Sequence, residues 1–365
     1  MSSLTIFLTS LYGGGAERVL VNLARGFVEQ GLSVDLVLVK VEGPYLSLVP
    51  PEVRIVDLKG KRLLSSLPAL VRYLKENKPT ALLSALEDTN IVALLARRLA
   101  GVSTRVVVSV HNTLSQEAQN SKQLKRRIAP YLVRWFYPMA DAVVSVSQGS
   151  ADDLVHLGLA KEQIKVIYNP VVTPDLFKKA SELVEHPWFE AGQPPVILGV
   201  GRLEKQKDFP SLIRAFAQVQ QQRPARLMIL GEGTERSQLE ALVQELGVAS
   251  NVALPGFVAN PYAYMASSAV FVLSSLYEGL PTVLIEAIAM GTRVVSTDCP
   301  SGPEEILANG KYGQLVSVGD VKGLAEAIAT TLDKPSDSEA LRLRADEFSL
   351  EKSVAQYRQV LGIDS

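Results

Sequence analysis

Short apolar runs alternate along this chain with stretches of helical periodicity, and no other feature limits its fold so strongly. Between the first two runs, Leu20, Leu23, Ala24 and Phe27 recur at the spacing of one face of a helix. Strands that alternate with helices form parallel sheets that carry helices on both faces. The sequence therefore predicts an α/β fold built on buried parallel strands.

The predicted strands fall into two series of five. The first series comprises residues 5–10, 33–39, 81–85, 105–110 and 142–146. The second series comprises residues 196–200, 226–230, 251–254, 270–273 and 293–296. Helices that fit between the strands of the second series are predicted over residues 211–221, 235–246 and 281–290.

Residues 169–195 separate the two series and contain five prolines without a clear strand, which is typical of a domain linker. A chain of 365 residues also exceeds the size at which a single hydrophobic core stops growing. We therefore predict two doubly wound, Rossmann-like domains that face a cleft. The first is expected over residues 1–175 and the second over residues 190–349, and a last helix is predicted over residues 350–361.

The composition narrows the functional classes. A formal net charge of −1 gives no reason to expect a nucleic-acid partner. Cys299 is the only cysteine, and no Cys/His cluster has the spacing of a zinc site. The first residues lack the features of a signal peptide, and no apolar run approaches the ~20 residues of a membrane-spanning helix. We expect a cytoplasmic protein, either free or attached to the inner face of the cell membrane.

Residues 274–298 predict a strand end, a tight turn, a short helix and a second strand. Pro281 suits the first helical position, and Gly291 suits the left-handed residue that closes the helix. Glu278 then lies just before the helix N-terminus, and Glu286 lies about two turns along the helix. Helix N-termini bind phosphate, and carboxylates accept hydrogen bonds from sugar hydroxyls. The stretch therefore fits a sugar nucleotide.

Two cations, Arg202 and Lys207, follow the predicted strand at residues 196–200. Ligands of parallel sheets bind at the carboxyl ends of strands, where these cations can neutralise a departing diphosphate. The alternative is a solvated basic loop. No D-x-D motif occurs in the sequence, so the carboxylate pair that usually holds a metal on a nucleotide sugar is missing. We therefore expect no metal and no cofactor besides the sugar donor.

Weaker candidates lie at the ends of other predicted strands. Gly13, Gly14 and Gly15 follow the first strand, where glycines let the backbone approach a ligand or simply form a flexible turn. Their spacing departs from the dinucleotide fingerprint G-x-G-x-x-G. His111 follows the strand at residues 105–110 and is either structural or a ligand contact.

Taken together, these motifs resemble a known family. The segments G-G-G-A-E at 13–17, His111-Asn112, G-R-L-x3-K at 201–207 and E-x7-E at 278–286 are similar, in the same order, to those of retaining glycosyltransferases of family 4. The resemblance implies the GT-B fold. In that fold the first domain binds the acceptor and the second binds a nucleoside-diphosphate sugar. It also implies that the C-terminal helix, within residues 350–365, packs back on the first domain.

The resemblance assigns roles to individual residues. Implied catalytic residues are His111 beside the transferred sugar, Arg202 and Lys207 at the leaving diphosphate, and Glu278 at the sugar hydroxyls. Implied donor-binding residues are Gly14, Gly15, Gly231, Phe257, Val258, Gly279, Leu280, Pro281, Thr282, Val283 and Glu286, with Phe257 and Val258 near the base and Glu286 on the ribose. The transfer is expected to retain the anomeric configuration by front-face displacement, without a covalent nucleophile.

Two basic segments, 59–75 and 122–139, fit either a membrane-surface helix or a core helix with a solvated face. Both lie in the domain expected to bind the acceptor. A long stretch, 186–303, resembles bacterial family members that assemble surface polysaccharides or lipid-linked oligosaccharides. We therefore expect a UDP-linked donor, preferably of an N-acetylhexosamine, and a glycan or lipid-linked acceptor. Peripheral contact of the two basic segments with an anionic membrane stays one of the two alternatives above.

Other functions fit part of this pattern. A sugar-nucleotide epimerase of the same fold would convert the donor without an acceptor, and a non-catalytic sensor would bind nucleotide sugars without turnover. A phosphorylase needs a pyridoxal-phosphate lysine and a much longer chain. A nicotinamide-dependent oxidoreductase is disfavoured because the sixth-position glycine of the fingerprint is missing.

Overall fold

The computed structural model describes residues 3–12, 14–120, 123–335 and 337–363, without the side chains of residues 120 and 125. The chain divides into two compact units. The first comprises Met1–Pro170 together with Phe348–Ser365, and the second comprises Val171–Glu347. Among the residues considered above, Gly13, Lys122 and the two last residues of the chain lie outside the described residues.

The described residues of the first unit form seven parallel strands. These are β1 Ser3–Leu8, β2 Ser33–Leu38, β3 Arg54–Asp57, β4 Ala81–Ala85, β5 Arg105–Val110, β6 Ala142–Ser145 and β7 Ile164–Val166. They form one sheet in the order β3-β2-β1-β4-β5-β6-β7. Its helices are α1 Gly15–Glu29, α2 Leu67–Asn77, α3 Glu87–Ala100, α4 Leu114–Asn120, α5 Leu124–Phe136 and α6 Gln148–His156.

Helices cover both faces of this sheet because successive side chains of a strand point to opposite sides. Leu4, Ile6 and Leu8 of β1 belong to one hydrophobic cluster, which α1 completes. Phe7 of the same strand belongs to a second cluster, which α2 and α3 complete. Within α1, the four residues of the predicted apolar face are all buried.

In the second unit, the part that the structure describes forms six parallel strands in the order β10-β9-β8-β11-β12-β13. They are β8 Val196–Val200, β9 Arg226–Leu230, β10 Val252–Gly256, β11 Val270–Leu273, β12 Val294–Thr297 and β13 Gln314–Val316. The helices are α7 Pro174–Ala180, α8 Phe209–Gln222, α9 Arg236–Glu245, α10 Pro261–Ser267, α11 Thr282–Ala289, α12 Pro303–Ile306, α13 Val321–Asp333 and α14 Ser338–Ala345.

The last helix, α15 Leu350–Leu361, belongs to the first unit. Its residues Val354 and Tyr357 are buried in the cluster that contains α1. The Ser353 hydroxyl donates to the carbonyl oxygen of Tyr168 at 2.9 Å, and Arg105 Nε donates to the carbonyl oxygen of Val360 at 2.7 Å. The C-terminal segment is therefore bonded to the sheet end and to the helix layer of the first unit.

The structure confirms the α/β class and the two series of parallel strands. Five strands, β4, β5, β8, β9 and β11, have the predicted bounds. The prediction misses β3, β7 and β13, which lie at sheet edges. Edge strands are short and partly exposed, so their sequences lack a continuous apolar run. Two details also differ: α7 lies within the predicted linker, and Pro281 precedes the first helical residue instead of occupying it.

No helix in the described parts of the chain is long and apolar enough to cross a membrane.

Candidate active site

Two loops at the carboxyl ends of neighbouring strands carry the predicted catalytic residues of the second unit, Arg202, Lys207 and Glu278. One loop follows β8 and the other follows β11, and these strands are hydrogen-bonded partners in the sheet. The Ser274 hydroxyl donates to the carbonyl oxygen of Lys207 at 2.7 Å, and Leu276 N donates to the carbonyl oxygen of Gln206 at 2.8 Å. Gln206 Nε2 returns a bond of 2.9 Å to the carbonyl oxygen of Tyr277. The two loops are therefore fixed to each other.

Lys207 and Glu278 form an ion pair between these loops. The distance from Lys207 Nζ to Glu278 Oε1 is 2.6 Å, and the Ser275 hydroxyl donates to the same oxygen at 2.6 Å. The side chains of Lys207 and Glu278 are only 16% and 9% exposed. Charge-assisted hydrogen bonds of this length hold both groups in one geometry. Lys207, which the sequence predicts to bind the diphosphate, is thus adjacent to Glu278, which it predicts to bind the sugar hydroxyls.

A further layer of bonds supports the Glu278 loop. The Thr297 hydroxyl donates to the carbonyl oxygen of Ser275 at 2.6 Å, and Glu278 N donates to the carbonyl oxygen of Pro300 at 3.3 Å. Cys299 is buried in this layer, and burial together with the charge of Glu278 raises the pKa of its thiol to about 12. The thiol is therefore protonated at neutral pH and unsuited to act as a nucleophile.

Arg202 is placed differently from Lys207. Its side chain is exposed and its guanidinium donates to Glu204 at 2.9 Å. Among the described hydrogen bonds, Arg202 therefore stands apart from the Lys207–Glu278 pair. Exposed ion pairs of this kind contribute little to stability, so the guanidinium can exchange Glu204 for another anion.

Helix α11 begins beside this pair and carries the other predicted donor residues. Pro281 precedes Thr282 and Val283, whose backbone N–H groups lie in the first turn, where no intrahelical acceptor exists. Leu280 is buried, and Gly279 is half-buried. The helix closes at Gly291, whose φ of +77° is the predicted left-handed conformation.

Glu286 is buried on α11, with 7% of its surface exposed. The Tyr262 hydroxyl on α10 donates to Glu286 Oε1 at 3.4 Å. A buried carboxylate needs hydrogen-bond donors, because burial of a charge without them is costly. A carboxylate has about four acceptor sites, so Glu286 can accept hydrogen bonds from more than one donor at a time.

The predicted donor-binding residues Gly231, Phe257 and Val258 lie at the ends of two more strands, β9 and β10. Gly231 follows β9 with a φ of +144°, and a side chain there would place its Cβ 1.9 Å from the carbonyl oxygen of Gly201. The loops after β8 and β9 can therefore approach each other only with glycine at this position. Phe257, directly after β10, is exposed, and Val258 is half-buried.

His111 lies at the carboxyl end of β5 in the first unit. Its Nε2 atom is 3.0 Å from the Ser109 hydroxyl, which lies 3.2 Å from the Tyr357 hydroxyl of α15. Burial lowers the pKa of His111 to about 4, so the ring is neutral at physiological pH. The C-terminal helix thereby contributes a side chain to the support of the histidine.

Gly14 and Gly15 lie at the start of α1, where Gly14 is the N-cap.

A cavity of about 320 Å³ lies at the same end of the first unit's sheet. Its lining includes Thr9 after β1, Glu87 and Asp88 after β4, and Asn112 after β5. Leu86, also in the lining, has a φ of +74°, which is a strained conformation for leucine. Backbone strain of this kind is concentrated at binding sites, so the cavity is a candidate ligand site.

Sequence reasoning missed several of these residues. Ser275 and Tyr262 donate directly to predicted site residues, Glu278 and Glu286, which lie 3 and 24 positions away in sequence. Tyr357 reaches His111 through Ser109, which lies 248 positions away from it. The acidic pair Glu87-Asp88 follows a predicted strand, and that position could have revealed it. In the part of the chain that the structure describes, no group of three or more His, Cys, Asp or Glu side chains could hold a metal ion.

Two family models match consecutive parts of the chain. Residues 13–174 match "Glycosyltransferase Family 4", and residues 182–348 match "Glycosyl transferases group 1". A Campylobacter jejuni protein, N-acetylgalactosamine-N,N'-diacetylbacillosaminyl-diphospho-undecaprenol 4-alpha-N-acetylgalactosaminyltransferase, is 30% identical over 366 residues, which cover 94% of each chain. The chain belongs to glycosyltransferase family 4.

A further relative and a solved structure are also similar to this family 4 protein. A second C. jejuni protein, a GalNAc-alpha-(1->4)-GalNAc-alpha-(1->3)-diNAcBac-PP-undecaprenol alpha-1,4-N-acetyl-D-galactosaminyltransferase, is 28% identical and covers 91% of this chain and 89% of its own. The solved structure of Anabaena HepE with UDP and glucose superposes with a TM-score of 0.79 at 22% identity, over 99% of this chain and 100% of that chain. These similarities confirm the predicted GT-B fold.

Proposed function

We propose that this enzyme transfers a sugar from a UDP-linked donor to a lipid-linked glycan acceptor in the assembly of a bacterial surface polysaccharide or glycolipid. The bonded cluster of Lys207, Glu278 and Ser275 beside the start of α11 is the observation that carries this proposal. The cluster places one cation, one carboxylate and free backbone N–H groups together, as a sugar linked to a diphosphate requires.

The diphosphate is proposed to bind at Lys207 and at the N–H groups of Thr282 and Val283. Its negative charge grows as the bond to the sugar breaks, and fixed donors stabilise that charge without reorganising. Glu278 keeps Lys207 in place through the bond of 2.6 Å and accepts hydrogen bonds from sugar hydroxyls with its other lone pairs. Arg202 adds a second cation when it leaves Glu204.

The nucleoside is proposed to bind farther along the same helix. Glu286 accepts hydrogen bonds from the two ribose hydroxyls, while Phe257, Val258 and the turn at Gly231 contact the base. UDP is chosen because the solved Anabaena HepE structures contain UDP, UDP and glucose, or UDP-glucose. An N-acetylhexosamine is chosen because two C. jejuni relatives are named as N-acetylgalactosaminyltransferases.

The transfer is proposed to retain the anomeric configuration. The bond from the sugar carbon to the diphosphate oxygen breaks, and the acceptor oxygen forms its bond on the same face. The acceptor proton passes to the departing diphosphate oxygen, so no protein nucleophile is needed. His111 contacts the transferred sugar as a neutral ring. The reaction is proposed to need no metal, because Lys207, Arg202 and the helix N-terminus supply the positive charge.

The acceptor is proposed to be a glycan attached to a lipid diphosphate. The names of the C. jejuni relatives contain undecaprenol, and an Escherichia coli relative, 26% identical over 70% of this chain and 66% of its own, is a lipopolysaccharide 1,6-galactosyltransferase. The first unit provides the acceptor site, and peripheral contact with the membrane keeps the enzyme near its lipid-linked substrate.

Nucleotide binding gives the first test. Thermal-shift measurements with UDP, GDP and ADP are expected to show stabilisation by UDP, and stabilisation by GDP alone would contradict the choice of base.

Turnover is then followed with UDP-N-acetylhexosamines, a polyprenyl-diphosphate glycan and EDTA. The expected product forms in the presence of EDTA with the anomeric configuration of the donor. Conversion of the donor without any acceptor would indicate an epimerase, and binding without turnover would indicate a sensor.

A further inference from the structure

The side chains of Ser109, His111 and Tyr357 form a series of hydrogen bonds at the carboxyl end of β5. The Ser109 hydroxyl lies 3.0 Å from His111 Nε2 and 3.2 Å from the Tyr357 hydroxyl. Ser109 and His111 are two positions apart, and side chains at that spacing along a strand point to the same side of the sheet. Ser109 is fully buried, and Tyr357 on α15 is 1% exposed. Each hydroxyl therefore depends on the other members of the series for its hydrogen bonds.

The phenol hydroxyl of Tyr357 determines the direction of these bonds. Ser109 is its one partner among the described hydrogen bonds, and a buried hydroxyl that donates to nothing is costly. The Tyr357 hydroxyl therefore donates to the Ser109 oxygen. Ser109 has one proton of its own, which it donates to its other described partner, His111 Nε2. The reverse order would leave the Tyr357 proton without an acceptor.

This order of bonds determines which nitrogen of the imidazole ring is protonated. Burial lowers the pKa of His111 to about 4, so at neutral pH the ring is uncharged and only one of its nitrogens carries a proton. A ring nitrogen that accepts a hydrogen bond does so with a lone pair and carries no proton. The proton of the neutral ring therefore lies on Nδ1.

The Nδ1 atom of His111 can reach a ligand. No described residue forms a hydrogen bond with it, and it is not one of the buried polar atoms that lack a partner, so it is accessible from outside the unit. His111 as a whole is half-buried, whereas Ser109 is fully buried. The ring therefore presents an accessible N–H donor and keeps its lone pair toward the buried serine.

Separate groups hold the backbone of Ser109. Asn90 Nδ2 donates to the carbonyl oxygen of Ser109 at 3.0 Å, and both neighbouring strands, β4 and β6, pair with β5 at this residue. Asn90 is itself fully buried and accepts a bond of 2.7 Å from the Ser84 hydroxyl. Removal of the Ser109 hydroxyl should therefore release the imidazole ring without moving the strand that carries it.

We propose that Ser109 is a positioning residue that holds His111 as the Nδ1–H tautomer, with Tyr357 of the C-terminal helix directing the serine hydroxyl at the ring. The tautomer follows from this geometry alone, whereas its use in catalysis rests on the proposed function. There the accessible Nδ1–H group donates a hydrogen bond to a hydroxyl of the transferred sugar. The opposite tautomer would present a lone pair at the same position and would accept a bond instead.

NMR of the histidine ring tests the tautomer without any substrate. The variant His156→Gln/His186→Gln leaves His111 as the only histidine, and long-range proton–nitrogen spectra at neutral pH distinguish a protonated ring nitrogen from an unprotonated one. We expect the proton on Nδ1 in this parent and in its Tyr357→Phe derivative, where Ser109 still donates to Nε2. Ser109→Ala is expected to populate both tautomers. A proton on Nε2 in the parent, or a tautomer that Ser109→Ala leaves unchanged, overturns the proposal.

Thermal stability tests the part of Tyr357. Ser109→Ala leaves the buried Tyr357 hydroxyl without an acceptor and should lower the melting temperature. Ser109→Ala/Tyr357→Phe removes both partners and should recover most of that loss, because no unpaired polar group remains. A double variant no more stable than Ser109→Ala overturns the donation from Tyr357 to Ser109. The matched control is Tyr73→Phe, which removes a buried phenol hydroxyl that donates to Asp35 and should leave the His111 tautomer unchanged.

Activity separates this proposal from the proposed function. Ser109→Ala is expected to lower kcat/KM for the UDP-sugar by about two- to tenfold and to leave the Kd for UDP unchanged, because UDP lacks the sugar. Tyr73→Phe should retain the kinetics of the parent. A changed tautomer with unchanged kcat/KM overturns the use of the Nδ1 proton in catalysis. If the parent transfers no sugar while the ring spectra follow the expected pattern, the proposed function fails and the tautomer assignment stands.

Discussion

Lys207 Nζ lies 2.6 Å from Glu278 Oε1, although 71 positions separate the two residues in sequence. Lys207 lies in the loop after β8, and Glu278 lies in the loop after β11. The parallel sheet brings the two strand ends together, and the interlocked loops bring the two side chains into contact. The pair is therefore a consequence of topology that local sequence patterns do not contain.

Ser275 is a positioning residue for this pair, since its hydroxyl donates to Glu278 Oε1 at 2.6 Å. Ser275→Ala is expected to lower kcat/KM by about 10- to 150-fold, because a hydrogen bond to a charged group contributes about 1.5–3 kcal/mol. Ser275→Thr keeps the hydroxyl and should restore most of the rate. Ser268→Ala, which removes a hydroxyl that donates to the carbonyl oxygen of Tyr264, serves as the control and should retain wild-type kinetics. Loss of activity in both Ser275→Ala and Ser275→Thr would refute a role through the hydroxyl.

Glu286→Gln is expected to weaken UDP binding about tenfold, because an amide accepts weaker hydrogen bonds from the ribose than a carboxylate does. Isothermal titration calorimetry with UDP measures this effect. Repeating the titration with 2',3'-dideoxy-UDP supplies the control, because the variant and the wild type should then bind equally. A tenfold difference that persists with the dideoxy nucleotide would assign Glu286 to a part of the ligand other than the ribose.

His111 is expected to remain neutral throughout the physiological range. Burial lowers its pKa from 6.5 to about 4, so the unfolded chain takes up a proton near pH 6.5 while the folded chain takes it up only near pH 4. Stability from this residue is therefore present above pH 6.5 and is lost as the pH falls toward 4. NMR of the histidine ring in a His156→Gln/His186→Gln variant should show no titration between pH 8 and 5. A midpoint near 6.5 would show that the ring is solvated.

Gly231→Ala should destabilise the second unit strongly, because the added Cβ would lie 1.9 Å from the carbonyl oxygen of Gly201. Gly192→Ala is the matched control, since Gly192 also has a positive φ, of +83°, but faces open space. Both variants place a Cβ on a backbone of positive φ, and only Gly231→Ala also brings that Cβ into a clash. We expect Gly231→Ala to lower the free energy of unfolding by at least about 2 kcal/mol more than the control does. Equal denaturation midpoints would mean that the two loops separate without cost.

The sequence predicted the fold well where strands are central and buried. Strands such as β5 and β8 show continuous apolar runs, so their bounds could be read directly, while the edge strands β3, β7 and β13 could not. Edge strands pair on one side only and carry residues that face water, which removes the apolar signal.

The candidate site could be predicted only as separate segments. Lys207, Glu278 and Glu286 each follow a strand or lie on a helix with a clear start, and a family resemblance supplied their order. The contacts of Ser275, Tyr262 and Tyr357 depend on packing between distant elements, and no spacing encodes them.

The most direct test of the proposed chemistry compares turnover and nucleotide affinity in Lys207→Ala. Because diphosphate charge develops in the transition state, we expect kcat to fall by about 10²- to 10³-fold, while the Kd for the intact UDP-sugar donor rises by less than about tenfold. Lys205→Ala removes a neighbouring exposed cation and should leave both values near wild type. Equal losses of turnover and affinity in Lys207→Ala, or equal effects of the two lysine variants, would contradict the role of the Lys207–Glu278 pair at the leaving group.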